Sequence, residues 1–357
     1  MKMTFRWYGE DYDTIPLKYI KQIPGVEGVV PMLMDVPVGE VWPVEKVESM
    51  YSVVKKYGLH MDVIESVNVH EDIKLGKPTR DRYIDNYIKT IYNLKNAGVK
   101  VICYNFMPVF DWTKTNLFYE LEDGSTTLCY EQKLIDEIKD PQEMVENIKS
   151  NSNGYELPGW EPERLNDLKI LFAEYENVSA DNLFRNLVYF LERIIPVCEE
   201  CDIRMAIHPD DPPKSLFGLP RIITCREDLD RLMKAVDSPF NGITLCTGSL
   251  GANKKNDMPD IIRHFGEMKR IHFIHARNIK FTDDDSFYES AHMSSCGSFD
   301  MYEIIKACKD VGYDGYMRPD HGRMIWDEKG RPGYGLYDRA IGIAYLNGLI
   351  EAVEKSD

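Results

Sequence analysis

Four short apolar runs in the second half of this 357-residue chain end in side chains that bind metal ions. Met205-Ala206-Ile207 ends in His208, after which Pro209-Asp210-Asp211-Pro212-Pro213 stops regular structure. Gly242-Ile243-Thr244-Leu245 ends in Cys246, Ile271-His272-Phe273-Ile274 ends in His275, and Gly315-Tyr316-Met317-Arg318-Pro319 runs into Asp320 and His321. Two imidazoles, a thiolate and a carboxylate are four ligand types for a divalent transition metal. They recur at roughly 30–45 residues, about one strand–helix unit of a β/α barrel, whose strand C-termini meet at one mouth. Taken singly each has a bland reading, since a buried cysteine is usually a small hydrophobe and a lone histidine is usually a satisfied core residue. Their recurrence at matching strand ends favours a metal site. His272 lies three residues before His275, points to the opposite side, and is read as structural.

The set suits Mn²⁺, Fe²⁺ or Zn²⁺, and ligand softness does not choose among them. With no all-cysteine cage, positions should stay open for substrate or water, the catalytic arrangement rather than the structural one. His321, beside Asp320, is a candidate acid/base. Arg277 shares the side-chain direction of His275 and is a candidate bidentate clamp for a carboxylate, ahead of Arg318 and Arg323. Tyr334, in Arg331-Pro332-Gly333-Tyr334-Gly335, either reaches the mouth from a turn-rich loop or is simply a loop tyrosine.

Strands that present these ends must alternate with helices, and the pattern does so. Strands are predicted at Thr4–Trp7, Gly28–Leu33, Met61–Ser66 and Lys100–Asn105, with helices at Leu17–Ile23, Val44–Tyr57 and Arg82–Ala97 between them. The alternation breaks over 112–179, where Phe118–Leu121 and Thr126–Tyr130 flank Asp123-Gly124, a hairpin signal, and Gln132–Ile138 reads as helical. It resumes with helix Ala180–Cys198, whose Leu183, Leu187, Leu191 and Ile194 share one face. The four ligand-bearing strands follow, with helices Arg226–Val236, Asp260–Lys269, Asp300–Val311 and finally Asp338–Glu351. Eight strand–helix units predict an α/β protein, a (β/α)8 TIM barrel spanning 1–357 as a single domain. A helical and hairpin insertion follows strand 4 and acts as a lid or dimer contact. An open doubly wound sheet would need a glycine-rich first turn, which the sequence lacks.

Hydrophobic residues make up 43%, enough for a large core, and the net charge of −16 argues against nucleic acid or an anionic membrane surface as partner. No apolar run approaches the roughly 18 residues of a membrane span, and the first residues lack a signal-peptide core. Eight cysteines in a chain this long are no disulfide framework, and Cys198-Glu199-Glu200-Cys201 sits at the end of an amphipathic helix. A cytoplasmic location is expected.

Longer motifs carry a resemblance. Ile207-His208-Pro209-Asp210-Asp211-Pro212-Pro213, Phe217-Gly218-Leu219-Pro220-Arg221, Leu245-Cys246-Thr247-Gly248-Ser249 and Met317-Arg318-Pro319-Asp320-His321-Gly322 resemble the mannonate dehydratase family. So do Arg6-Trp7-Tyr8-Gly9, Gly39-Glu40-Val41-Trp42-Pro43, Val69-His70-Glu71-Asp72-Ile73 and Cys103-Tyr104-Asn105-Phe106-Met107-Pro108, so that nearly the whole chain is covered. Ser294-Ser295-Cys296-Gly297-Ser298, near His292, departs from the family's pattern. The resemblance implies a hydro-lyase that uses Mn²⁺ or Fe²⁺, with Zn²⁺ behind them, and converts D-mannonate to 2-keto-3-deoxy-D-gluconate in hexuronate (glucuronate) catabolism. Its metal ligands fall on His208, Cys246, His275 and Asp320, and its catalytic pair on His321 and Tyr334. The expected chemistry is removal of the C2 proton, a metal-stabilised enediolate, and loss of the C3 hydroxyl. Arg277, Asn105 and His70 are polar candidates for substrate binding, with Trp7 or Trp112 as walls. A homodimer or higher homo-oligomer is expected. Two other readings compete: a metal-dependent sugar isomerase or epimerase on the same barrel, and a sugar-acid-binding barrel that is not an enzyme.

Overall fold

The computed structural model describes residues 1–138, 140–152, 154–155 and 168–356. Among the described residues twelve strands run in chain order: β1 Lys2–Arg6, β2 Val26–Val30, β3 Val63–Glu65, β4 Val101–Tyr104, β5 Asn116–Glu120, β6 Thr126–Tyr130, β7 Arg204–Ile207, β8 Asn241–Cys246, β9 Ile271–Ala276, β10 Ile279–Phe281, β11 Phe287–Glu289 and β12 Tyr316–Pro319. Eight of them form one parallel sheet in the order β2-β1-β12-β9-β8-β7-β4-β3. Its two ends meet through Val29 N to His60 O at 2.9 Å and Glu65 N to Pro31 O at 3.2 Å, so the sheet is a nearly closed barrel, as the alternation predicts.

Side chains alternate across each strand. Val30, Val63, Val101, Cys103, Ala206 and Phe273 fill the barrel interior, whereas Ile64, Ile102, Met205, Leu245 and Ile274 join the larger core beneath the helices. The same period of two aims the last inward residue of each strand at the mouth. Helix Ala180–Cys201 shows how the outer layer is held. Ser179 caps its first turn, Asp202 closes it with a left-handed φ of 53°, and Leu183, Leu187, Leu191 and Ile194 are fully buried. It runs three residues past the predicted Cys198 in spite of Pro196, because its last turn still buries Cys198 and Cys201.

The insertion holds more sheet than its sequence suggests. The β5–β6 hairpin turns at Asp123-Gly124, where Gly124 has φ 78° and the Asp123 carboxylate accepts from Ser125 N at 3.0 Å. This hairpin pairs with β10 and β11, which follow barrel strand β9, giving a four-stranded antiparallel sheet. Val109, Phe110, Leu128, Tyr130, Leu216 and Phe287 anchor a second core there, distinct from the barrel core. Helices Gln132–Glu137, Pro141–Asn151 and Leu168–Tyr175 complete the described part of the 112–179 insertion, and 156–167 lie outside the described residues. Trp112 bridges to Asp211, in the loop after β7, so the insertion reaches the barrel mouth. Among the described residues no helix is long and apolar enough to cross a membrane.

Candidate active site

The four predicted ligand side chains converge at the mouth. One donor atom from each of His208, Cys246, His275 and Asp320 lies within 4.8 Å of all the others. Cys246 Sγ is 3.8 Å from Asp320 Oδ2, which lies 3.7 Å from His275 Nδ1. Because a carbonyl only accepts, the 2.7 Å contact from His208 Nδ1 to Pro209 O places the hydrogen on Nδ1 and leaves the lone pair on Nε2. Neither ring nitrogen of buried His275 makes a hydrogen bond among the described residues. Arg318 Nη1 donates to Asp320 Oδ1 at 2.8 Å while its other nitrogens grip Glu65, so Oδ2 is left to the cluster.

The electrostatics fit a cation-binding set. Burial would push the Cys246 thiol up, but His208, His275 and the Arg277 cation bring it well below its ordinary range. Burial likewise opposes charge on His208, yet the sulfur and Asp320 draw it up to about 9. Burial also works against the Asp320 carboxylate, and His321 and Arg318 outweigh it. A buried thiolate, a carboxylate and two imidazoles are the donor types that a divalent transition metal takes, and an ion held there would displace the extra proton that the sulfur and Asp320 draw onto His208. A second grouping, Glu65, Cys103 and His275, also gathers ligand types. It suits a metal less well, because Glu65 already holds Arg318 and burial pushes the Cys103 thiol up.

His321 and Tyr334 meet beside this cluster, with His321 Nε2 2.9 Å from the Tyr334 hydroxyl. The other ring nitrogen, Nδ1, lies 3.4 Å from Glu289 Oε1. Burial raises the Tyr334 phenol well above its ordinary value, so it stays protonated. Its loop is fixed by Arg339, which donates to the carbonyls of Tyr334 at 2.5 Å and Gly335 at 2.7 Å. Gly333, at φ 75°, lets that loop approach the hairpin, since a Cβ there would stand 2.6 Å from Leu128.

Behind the cluster lies a buried ion network. Arg277 donates to Glu289 from Nε at 2.6 Å and Nη2 at 2.5 Å, and from Nη1 to Asp211 at 2.6 Å. Lys114, from the insertion, sits 3.0 Å from Asp211 and 3.6 Å from Glu289. Two cations and two anions thus balance, and Arg277, with Lys114 behind it, outweighs burial to bring Glu289 down to about 2. Arg277 and Ser249 also place donors 3.7 and 3.1 Å from Cys246 Sγ.

The remaining sequence candidates are placed differently from one another. Asn105 and Trp112 line the same cavity as the cluster, about 70 Å³ in volume, together with Arg6, Tyr8 and Glu65. Arg277 is 0% exposed with its guanidinium filled by protein acceptors, behind the cavity rather than in it. Trp7 packs in the hydrophobic core. His70 caps helix Glu71–Leu75 and stacks on Tyr83 at 3.6 Å, lining a separate cavity of about 720 Å³. Glu289, Asp211 and Lys114 were given no role by sequence reasoning, and only Asp211, inside the His208 motif, carried a signal. Tyr8 was given no role either, and the signal that could have found it is the alternation of side chains, which turns Arg6 and Tyr8 to one side and Trp7 to the other.

Comparison with known proteins decides the family. The family model described as D-mannonate dehydratase (UxuA) matches residues 1–357. This chain belongs to that family. A mannonate dehydratase of Thermotoga maritima is 62% identical over 355 residues, 99% of this chain and 98% of the relative. One of Geobacillus thermodenitrificans is 58% identical over 354 residues, 99% and 95% of the two chains. The crystal structure of mannonate dehydratase from Streptococcus suis superposes with a TM-score of 0.91 at 44% identity, covering 100% of this chain and 95% of that one. A D-psicose 3-epimerase from Clostridium cellulolyticum matches 98% of this chain and 99% of its own with a TM-score of 0.60 at 12% identity, a likeness of fold alone. Mannonate dehydratases are hydro-lyases, and membership makes this protein an enzyme of that class.

Proposed function

We propose that this protein dehydrates D-mannonate to 2-keto-3-deoxy-D-gluconate in hexuronate catabolism, in the cytoplasm, with Mn²⁺ or Fe²⁺ held by His208, Cys246, His275 and Asp320. The observation that carries the reading is a cavity, in a chain of this family, lined by His208, His275 and Asp320 of the four-ligand cluster, with Cys246 buried against them, and by the His321–Tyr334 pair. A bound divalent ion supplies a Lewis acid, which a sugar acid's weakly acidic C2–H requires.

The chain's own groups divide the proton work. Glu289 accepts from His321 Nδ1–H and the Tyr334 hydroxyl donates to Nε2, so Nε2 is the nitrogen suited to take the C2 proton once substrate displaces that hydroxyl. Tyr334, kept protonated by burial, suits the opposite task of giving a proton to the departing C3 hydroxyl. Asn105 and Trp112, on the cavity wall, are the substrate contacts supported by placement. The role of Arg277 is to hold Cys246 and Glu289 in place. The insertion serves as a lid, because it sends Trp112 and Lys114 to the mouth. Eight free cysteines fit a reducing compartment, and the proposed homodimer or higher homo-oligomer is open to sedimentation analysis.

The test is anaerobic turnover of D-mannonate with Mn²⁺, Fe²⁺, Zn²⁺ or chelator, following the 2-keto-3-deoxy acid. Product that depends on Mn²⁺ or Fe²⁺ is expected. Bound metal without product would overturn the substrate, and a product isomeric with the substrate would favour an isomerase.

A further inference from the structure

Buried polar atoms without a partner are rare in folded proteins, and the mouth of this barrel gathers them. Among the described residues lining the cavity, Arg6 Nε and the Tyr8 hydroxyl have no hydrogen-bond partner, in addition to the ring nitrogens of His275. Tyr104 also lines the cavity and its hydroxyl is likewise unpartnered, with its ring packed beside Phe190 at 6.0 Å. Tyr8 is only 1% exposed.

The Tyr8 ring is rigidly held. The Arg331 guanidinium carbon lies 3.8 Å from its centroid and that of Arg6 4.6 Å. Its plane meets that of Tyr334 edge-on at 5.3 Å, and its backbone N–H donates to Asp13 at 2.9 Å. A tyrosine locked by two cations and an aromatic edge is placed for its one polar atom, yet no protein group receives that atom. Its position along the site is also defined. The cluster, His321, Tyr334 and Tyr8 form a sequence of neighbours: Asp320 Oδ1 lies 3.8 Å from His321 Nε2, His321 bonds Tyr334, and Tyr334 packs on Tyr8. With the acid end of the substrate at the cluster and C2–C3 between His321 and Tyr334, the next station takes the carbons beyond the reacting pair.

We propose that the Tyr8 hydroxyl hydrogen-bonds the distal hydroxyls of the sugar acid, at C5 or C6, and so sets a preference for six-carbon substrates. This rests on the dehydratase reading above, which fixes the direction in which the substrate lies.

The experiment compares wild type with Tyr8→Phe in the metal-loaded enzyme. It uses D-mannonate as substrate and a four-carbon acid, 2,3,4-trihydroxybutanoate, as competitive inhibitor. The contact exists equally in the bound substrate and the transition state, so its loss raises KM and leaves kcat within about twofold. The expected fall in kcat/KM is about 10- to 100-fold, the scale of one hydrogen bond to a buried group. The inhibitor constant of the four-carbon acid, which lacks C5 and C6, stays within about twofold. The thermal midpoint holds or rises, because the removed hydroxyl had no protein partner. A purely structural tyrosine would give the reverse, a lower midpoint with kinetics unchanged, and that overturns the proposal. Unchanged kcat/KM overturns it too, and so does an equal loss on the four-carbon acid, which would place Tyr8 at the reacting end. Failure of the wild type to dehydrate D-mannonate sinks the functional reading, and this proposal with it. That outcome is seen without the variant.

Discussion

Glu289→Gln isolates the buried ion network from the ligand cluster. The carboxylate is fully buried, takes two hydrogen bonds from Arg277, lies 3.6 Å from Lys114 and faces His321 Nδ1 at 3.4 Å. Glutamine keeps the shape and removes one negative charge. It leaves two buried cations facing Asp211 alone. The magnitude follows in two ways. Glu289 is held at about 2 against an ordinary 4.5, and at about 1.4 kcal/mol per tenfold this is a preference of about 3 kcal/mol for the charged form. Stripping one partner from a buried pair costs about 3–5 kcal/mol. The two agree in scale. For a domain of 357 residues this lowers the thermal midpoint by roughly 4–7 °C. Catalysis should suffer separately. His321 loses its ionic acceptor, and loss of such an orienting partner typically costs about 10–100-fold. The assay reads thermal midpoint, metal content and kcat on D-mannonate side by side. A midpoint within about 1 °C of wild type would refute the charge-balance argument. Intact kcat at normal metal content would refute the orienting role.

Three further outcomes are expected. Tyr334→Phe leaves metal content intact and lowers kcat by about 100-fold, the usual scale for a positioned proton donor; unchanged turnover removes Tyr334 from the chemistry. Cys246→Ser loses bound metal and activity together, because a serine hydroxyl does not ionise as this thiol does; a fully metallated, active variant contradicts the ligand role. His272 is buried and held neutral, at about 4 against an ordinary 6.5. The unfolded chain therefore binds the extra proton between those values, and stability falls as pH drops through that window, by about 3 kcal/mol at pH 4. Urea midpoints of wild type and His272→Gln should diverge from pH 7 to pH 4, and parallel curves would show that His272 contributes no such term.

The division between what was legible in the sequence and what was not follows from the range of the interactions. Barrel strands and helices are written in local periodicity, and the convergence of His208, Cys246, His275 and Asp320 follows once four strands share a direction, since parallel strands of one barrel end at one mouth. The direction of Arg277 was legible too. What that arginine meets was not: its acceptor Glu289 lies on a three-residue strand that pairs with three-residue β10 and with the distant hairpin strand β6, and three residues carry no usable period. Lys114 reaches the same network from the insertion, where alternation had already ceased. His70 illustrates a second limit. It was expected to bind substrate, but its ring is set by stacking on Tyr83, a neighbour on helix Arg80–Asn96, and lines a separate cavity. Trp7 and Tyr8 illustrate a third, which more careful reading removes. Arg6 and Tyr8 are separated by one full strand period, so whichever face takes Arg6 into the mouth must bring Tyr8 with it and send Trp7 to the core. A large aromatic in a motif attracts attention by type, but parity along the chain decides which one lines the cavity.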